Sequence, residues 1–139
     1  MIEDKKIAVV MPAYNEELLI EKSIDSVPSE VNKIIVVNDL SKDQTREIVE
    51  NKIKSNQKIV LINNKKNYGV GYSIVEGYKK AYDLDCDIAV VMPGDAQALP
   101  EDFYSLIDPV LKESVDYTKG NRLKYKGVSN IMPKHRFFG

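Results

Sequence analysis

Four short apolar runs constrain this chain more than any other feature of its sequence. They are Ile7–Met11 (IAVVM), Ile34–Val37 (IIVV), Ile59–Ile62 (IVLI) and Ile88–Met92 (IAVVM). All are rich in β-branched residues, and none alternates with polar ones. A strand with one face in water alternates. A run that is apolar at every position is buried on both faces, as in a parallel sheet covered by helices. Runs this short are too short for a buried helix, so they are expected to be strands.

Segments with helical spacing lie between them. Leu19, Ile20, Ile24 and Val27 share one helix face, with Asn15 as the expected N-cap and Pro28 at the end. Ile48, Val49 and Ile53 mark a second helix, with Ser41 and Gln44 spaced as its capping box. Ile74, Tyr78 and Ala81 mark a third, after Gly69 and Gly71. Leu106, Ile107, Val110 and Leu111 mark a fourth, which starts near Pro100 and is kinked or ended by Pro109. Val115–Lys119 is expected to add a further strand. Strand–helix alternation with short loops is the pattern of right-handed βαβ units, which put helices on both faces of a sheet. The expected fold class is therefore α/β, a Rossmann-like three-layer sandwich around a mostly parallel sheet. Residues 1–139 read as one domain, with 123–139 an incomplete C-terminal element.

Composition removes several function classes. Lys and Arg number 20 against 21 Asp and Glu, a net charge of −1, so a nucleic-acid binder held mainly by backbone charge is excluded. One cysteine, Cys86, leaves no disulfide framework and no four-cysteine zinc site, and one histidine, His135, excludes a multi-histidine metal site. No apolar run approaches the ~20 residues of a membrane helix, and the N-terminus lacks a signal-peptide pattern. A soluble domain of a reducing compartment is expected.

In open parallel sheets, ligands bind at the carboxyl ends of the strands. Here each run empties into polar residues: Pro12-Ala13-Tyr14-Asn15-Glu16, then Asn38-Asp39, then Asn63–Gly71, then Pro93-Gly94-Asp95-Ala96-Gln97. Asp39 could accept from a ribose hydroxyl or a base N–H, or serve as a loop cap. Ser41 and Asp43 read as caps. Asp95 with the amide oxygen of Gln97 offers hard oxygen ligands, which suit Mg²⁺ or Mn²⁺ bridged to phosphates. The N–H groups of Asn67–Gly71, at a helix start, could hold an anion. That loop is neither GxGxxG nor a P-loop, and the first loop lacks dinucleotide-binding glycines. Arg122 could pair with a phosphate.

Taken together, these residues resemble the family 2 glycosyltransferases, which have the GT-A fold. The pieces are VVMPAYNEE at 9–17, IIVVNDLSKDQT at 34–45, NYGVGYSIVEGYKKA at 67–81, VVMPGDAQALPED at 90–102 and DYTKGNR at 116–122. The branch that looks most similar contains the dolichyl-phosphate mannose and glucose synthases. The resemblance implies a nucleotide-sugar site made by Pro12, Ala13, Tyr14, Glu16, Asp39, Gly69, Gly94 and Asp95. It implies Mg²⁺ or Mn²⁺ held at Asp95 and Gln97, and Asp95 and Arg122 as the catalytic pair that stabilises the departing diphosphate. It further implies inverting transfer from a UDP- or GDP-linked sugar to an acceptor such as a polyprenyl phosphate. With that come a cytoplasmic location at the membrane face and peripheral membrane contact through Lys124, Lys126, Lys134 and Arg136, for which a solvated face stays open. Separately, Ile131, Met132, Phe137 and Phe138 have no later partner to cover them, so a fragment, or pairing with another chain through that end, is expected. Three positions depart from the family pattern. Pro93 stands for the first acid of Asp-x-Asp, Asn38 for a frequent Asp, and Leu40 for a small residue. The family's catalytic domain also continues further, so a fragment is expected. A nucleotide-sugar-binding or nucleotidyltransferase-like domain without transfer activity stays open beside this reading, as does a structural remnant.

Overall fold

All four apolar runs are strands in the computed structural model, which describes residues 2–112 and 114–120. The elements follow in order as β1 (Ile7–Ala13), α1 (Ile20–Asp25), β2 (Lys33–Asn38), α2 (Thr45–Ser55), β3 (Ile59–Asn63), α3 (Val70–Asp83), β4 (Ile88–Val91) and α4 (Pro100–Leu111). The sheet order is β3-β2-β1-β4, and every pairing is parallel.

β1 lies near the middle of the sheet and is buried along its whole length, which explains its lack of alternation. Its odd-numbered residues Ile7, Val9 and Met11 join Ile20 and Ile24 of α1, Val49 of α2, and Phe103 and Ile107 of α4 in the larger core. A fully buried side chain of this size contributes about 1.5–3 kcal/mol. Ala8, Ile35 and Val37 face the other way, onto Ala81 of α3. Helices therefore cover both faces, as three layers require.

α3 approaches its face of the sheet closely through small residues. Its buried positions are Ser73, Gly77 and Ala81, spaced four apart. A Cβ on Gly77 would overlap the side chain of Val10, so only glycine allows this approach without a shift. The helix lies where Ile74, Tyr78 and Ala81 predicted it, but its buried face is turned by one residue. Small side chains, which a hydrophobicity pattern undervalues, make the contact. Ile74 and Tyr78 instead line a cavity of about 500 Å³ beside the outer edge of β4.

Other local expectations are corrected. The segment 115–119 forms no strand; most of it is exposed, and Thr118 Oγ1 donates to the Leu106 carbonyl at 2.6 Å, which ties it to α4. Asn15 does not cap α1, which starts five residues later at Ile20. Ser41 and Gln44 form no capping box on α2; both are bonded to the loop after β1. Pro109 sits inside α4, which ends two residues later at Leu111. The expected basic element at 123–139 and Arg122 lie outside the described residues.

Strand order fixes where a site can form. The chain runs outward from β1 through β2 to β3, then returns to place β4 on the other side of β1. Loops leaving β1 and β4 diverge at that reversal and open a crevice beyond their carboxyl ends.

Candidate functional site

A cleft of about 220 Å³ lies at this crevice. Pro12, Ala13, Tyr14 and Glu16 reach it from the end of β1, Asp39 from the end of β2, and Gly94 and Asp95 from the end of β4. Seven of the residues singled out from sequence thus meet in one place. Val70, Ser73 and Pro93 complete the lining. The first two come from the start of α3, and sequence reasoning missed them. Ser73 carried one available signal: it is polar, yet it falls on the small-residue face with Gly77 and Ala81.

The loop after β1 is stitched to the loop after β2. Asn15 N–H donates to Ser41 Oγ at 3.0 Å, and Lys42 N–H donates to Asn15 Oδ1 at 2.8 Å. Glu16 N–H donates to Thr45 Oγ1 at 2.9 Å, Glu17 N–H to Asp43 Oδ2 at 3.1 Å, and Gln44 N–H to Glu17 Oε2 at 3.1 Å. Asn15, Leu40 and Ala96 adopt left-handed backbone with φ of 52°, 57° and 57°. Asn tolerates this locally, whereas Leu and Ala there cost roughly 1–2 kcal/mol each. Nearby bonds hold the strained turns in place, such as Ala96 N–H to Ser23 Oγ at 2.9 Å.

Asn38, where the family often has Asp, is buried and uses both ends of its amide. Its Nδ2 donates to Asn63 Oδ1 at 2.9 Å, and its Oδ1 accepts from Ser41 N–H at 3.1 Å. A carboxylate would lose the donor.

Asp39 is buried with 4% exposure, and its carboxylate is largely committed within the protein. Oδ1 accepts from Asn64 Nδ2 at 2.8 Å and from Tyr68 N–H at 2.9 Å; Oδ2 accepts from Gly69 N–H at 2.8 Å. A carboxylate has about four acceptor positions, so about one remains for a ligand. The same bonds correct the expectation for the 67–71 loop. The Tyr68 and Gly69 N–H groups serve Asp39 and are not available to an anion. Gly69, at φ 93°, makes the turn that aims them.

The opposite end of the cleft is acidic. Asp95 is half-buried, and its Oδ1 accepts from Gln97 N–H at 3.1 Å. No Lys or Arg among the described residues forms an ion pair with Asp95 or Glu16. Burial, then the charges of Asp95 and Asp43, push the Glu16 carboxyl above the ordinary glutamate value. Burial also works to raise Asp43, but bonds from the Thr45 hydroxyl and N–H and from Glu17 N–H outweigh it and hold that carboxyl low. Gln97 is exposed and contributes only its N–H.

The described residues contain no cluster of three or more His, Cys, Asp or Glu that could hold a metal alone. What is present is a pair of half-buried carboxylates, Glu16 and Asp95, lining one end of the cleft. That suits a hard divalent cation taking most of its remaining oxygens from phosphate and water. A metal caged entirely by protein would not fit.

The model of glycosyl transferase family 2 matches residues 8–138. Among curated proteins the chain is 36% identical over 143 residues to the UDP-N-acetylglucosamine–dolichyl-phosphate N-acetylglucosaminyltransferase of Methanococcus voltae, covering 94% of this chain and 57% of that one. Glucosyl-3-phosphoglycerate synthase from Mycobacterium tuberculosis, in complex with Mn²⁺, UDP and glucosyl-3-phosphoglycerate, superposes with a TM-score of 0.59 at 25% identity, over 78% of this chain and 40% of that one. A mannosyltransferase from Pyrobaculum calidifontis, in complex with GDP-Man and Mn²⁺, gives 0.57 at 21% identity, over 66% and 28%, and shares the fold. The chain spans about half the length of the curated relatives it matches.

Proposed function

Because the chain belongs to glycosyl transferase family 2, we propose that its cleft holds the nucleoside diphosphate of a UDP- or GDP-linked sugar, for transfer to a polyprenyl phosphate. The observation that carries this is the division of one cleft between two acids. Asp39 lies at the β2 side, braced by neutral donors. Asp95 lies at the β4 side beside Glu16, and among the described residues no Lys or Arg pairs with either.

A nucleoside diphosphate has the same two-part character. Its nucleoside is neutral and rich in hydrogen-bonding groups; its diphosphate is anionic and needs a cation to sit near carboxylates. Asp95, with Gln97 beside it, would hold Mg²⁺ or Mn²⁺. When bound, that ion would neutralise charge developing on the departing diphosphate. The protein's part is positioning. Tyr14 and Pro12 wall the cleft, the stitched loops keep Glu16 and Asp39 in place, and Gly94, where a Cβ would crowd Ile20 and Ala13, lets the Asp95 turn pack against α1 and the end of β1. Arg122, outside the described residues, is proposed as a further charge on the phosphates. A phosphate acceptor is already an anionic nucleophile, so attack on the sugar needs no proton removed first.

Among the described residues no helix is long and apolar enough to cross a membrane. A lipid-phosphate acceptor is proposed to be met at the bilayer surface, on the cytoplasmic side, with Lys124, Lys126, Lys134 and Arg136, which lie outside the described residues, as the contact. Co-sedimentation with anionic liposomes at low salt tests this.

Calorimetric titration with UDP, GDP and their sugars, with Mg²⁺ or Mn²⁺ and then with EDTA, tests the donor site. Metal-dependent binding that is lost in Asp95→Ala is expected. Binding indifferent to metal and to that substitution would refute the metal role, and equal affinity for NAD would refute the site. Transfer of radiolabelled sugar to polyprenyl phosphate tests the activity.

A further inference from the structure

We propose that the outward face of α3 is a membrane-docking surface, a stripe of tyrosines with lysines along it that lies on an anionic bilayer at the rim of the cleft. Its link to the acceptor rests on the reading of a lipid phosphate, and it assigns the contact to a face which that reading does not name.

α3 buries small residues and turns large ones to solvent. Ser73, Gly77 and Ala81 pack against the sheet. Tyr72, Val75 and Tyr82 are 43%, 48% and 82% exposed, and Tyr68, just before the helix, is 46% exposed. Positions 68, 72, 75, 79 and 82 are spaced by three and four, so they share one face. The Tyr68 and Tyr72 rings lie 4.2 Å apart between centroids. The stripe is about 20 Å long. A surface helix ordinarily turns its polar side to water, and an exposed apolar stripe marks a contact surface.

The chemistry of the stripe favours a bilayer over a second copy of the chain. Its aromatic residues are all tyrosines, each an apolar body with a polar tip, which suits the headgroup level of a membrane. Lys79 stands within the stripe, paired at the surface with Glu76 at 3.1 Å, and Lys65 and Lys66 are exposed at its start. Protein interfaces are depleted in lysine, whereas anionic headgroups attract it. Residues 65–83 hold four lysines against two acids, although the whole chain has a net charge of −1. The stripe also begins at the cleft. Tyr68 N–H donates to Asp39 at 2.9 Å, and Val70 lines the cleft wall. Leu40, next to Asp39, is another exposed apolar residue, 48% exposed. A lipid phosphate held in the headgroup layer therefore meets the cleft at this rim.

The chain has no tryptophan, so an introduced one reports its own surroundings. Tyr72→Trp places it on the stripe. Tyr104→Trp places it on α4, which packs on the other face of the sheet. Each full-length variant is titrated with vesicles of phosphatidylcholine, alone or with phosphatidylglycerol, after thermal unfolding has shown it folded. Emission of Tyr72→Trp should shift to the blue on the anionic vesicles, and that of Tyr104→Trp should not. Lys79→Gln should weaken co-sedimentation with those vesicles by roughly five-fold. An unshifted Tyr72→Trp would overturn the inference, including where the chain sediments through its lysines beyond residue 123. Equal shifts at both positions would overturn it as unoriented adsorption. A shift that follows protein concentration without vesicles would overturn it in favour of a second copy. Donor titration keeps the two readings apart. Nucleotide binding with no shift at Tyr72→Trp removes this inference alone, and a shift at Tyr72→Trp without nucleotide binding supports the docking face while the cleft reading fails.

Discussion

Asp39→Asn separates a carboxylate that binds ligand from one that builds the site. In the structure three protein donors converge on Asp39: the Asn64 amide, Tyr68 N–H and Gly69 N–H, at 2.8, 2.9 and 2.8 Å. Hydrogen bonds to a charged group contribute about 1.5–3 kcal/mol each, and neutral ones about 0.5–1.5. In the Asn variant one oxygen remains for Asn64 and Tyr68, so those bonds become neutral. The new NH₂ faces Gly69 N–H, leaving two donors opposed. Weakening two bonds and losing the third should cost about 2–4 kcal/mol, with water at the half-open loop limiting the loss. Urea unfolding followed by far-UV circular dichroism measures this directly. Amide exchange at Tyr68 and Gly69 should quicken in step. Nucleotide affinity falls on either view and does not discriminate. A variant within about 0.5 kcal/mol of the original, which a surface position would give, would refute the reasoning and return Asp39 to a ligand role alone.

Three further outcomes are expected. Gly77→Ala should destabilise by about 1–2 kcal/mol, the overpacking against Val10 exceeding the helix-propensity gain of about 1 kcal/mol; in a Val10→Ala background, which lacks the overlapping methyls, the same change should no longer destabilise in the unfolding assay. Folding raises the Glu16 carboxyl above its ordinary value, so between those two values the folded state binds more protons; stability should fall as pH rises through that window, and Glu16→Gln should remove the slope in pH-dependent thermal unfolding. Mg²⁺ at Asp95 should pull the Glu16 titration back down, read by carboxyl NMR. Ser41→Ala should loosen the loop after β1 by removing the acceptor for Asn15 N–H, seen as faster exchange of that amide with little change in overall stability.

The spacing of apolar and polar residues was enough to place the strands, the helices and the edge that carries the site. An apolar run without alternation reads as a strand covered on both faces, as β1 and β2 are, while the outer strands β3 and β4 are mostly half-buried; strands paired in parallel must release their loops at one edge. That is why the loops at 12–16, 38–45 and 93–97 were legible on one edge; the choice within them of Pro12, Ala13, Tyr14, Glu16, Asp39, Gly94 and Asp95 is what the family resemblance implied. What the side chains do there was decided by the tertiary structure. Whether Asp39 faces a ligand or the N–H groups of Tyr68 and Gly69 depends on how the loop after β3 folds back over the end of β2, some 30 residues along the chain. Asn15 looked like a helix cap and is a brace between loops, because its partners at Ser41 and Lys42 come within reach only once β2 is paired beside β1. Ser73 was invisible for the same reason. Its hydroxyl accepts from Asn64, which strand order and the close approach that Gly77 permits bring to it. Local pattern encodes burial and period. Hydrogen bonds between distant loops are set by topology, and a one-dimensional pattern does not carry that information.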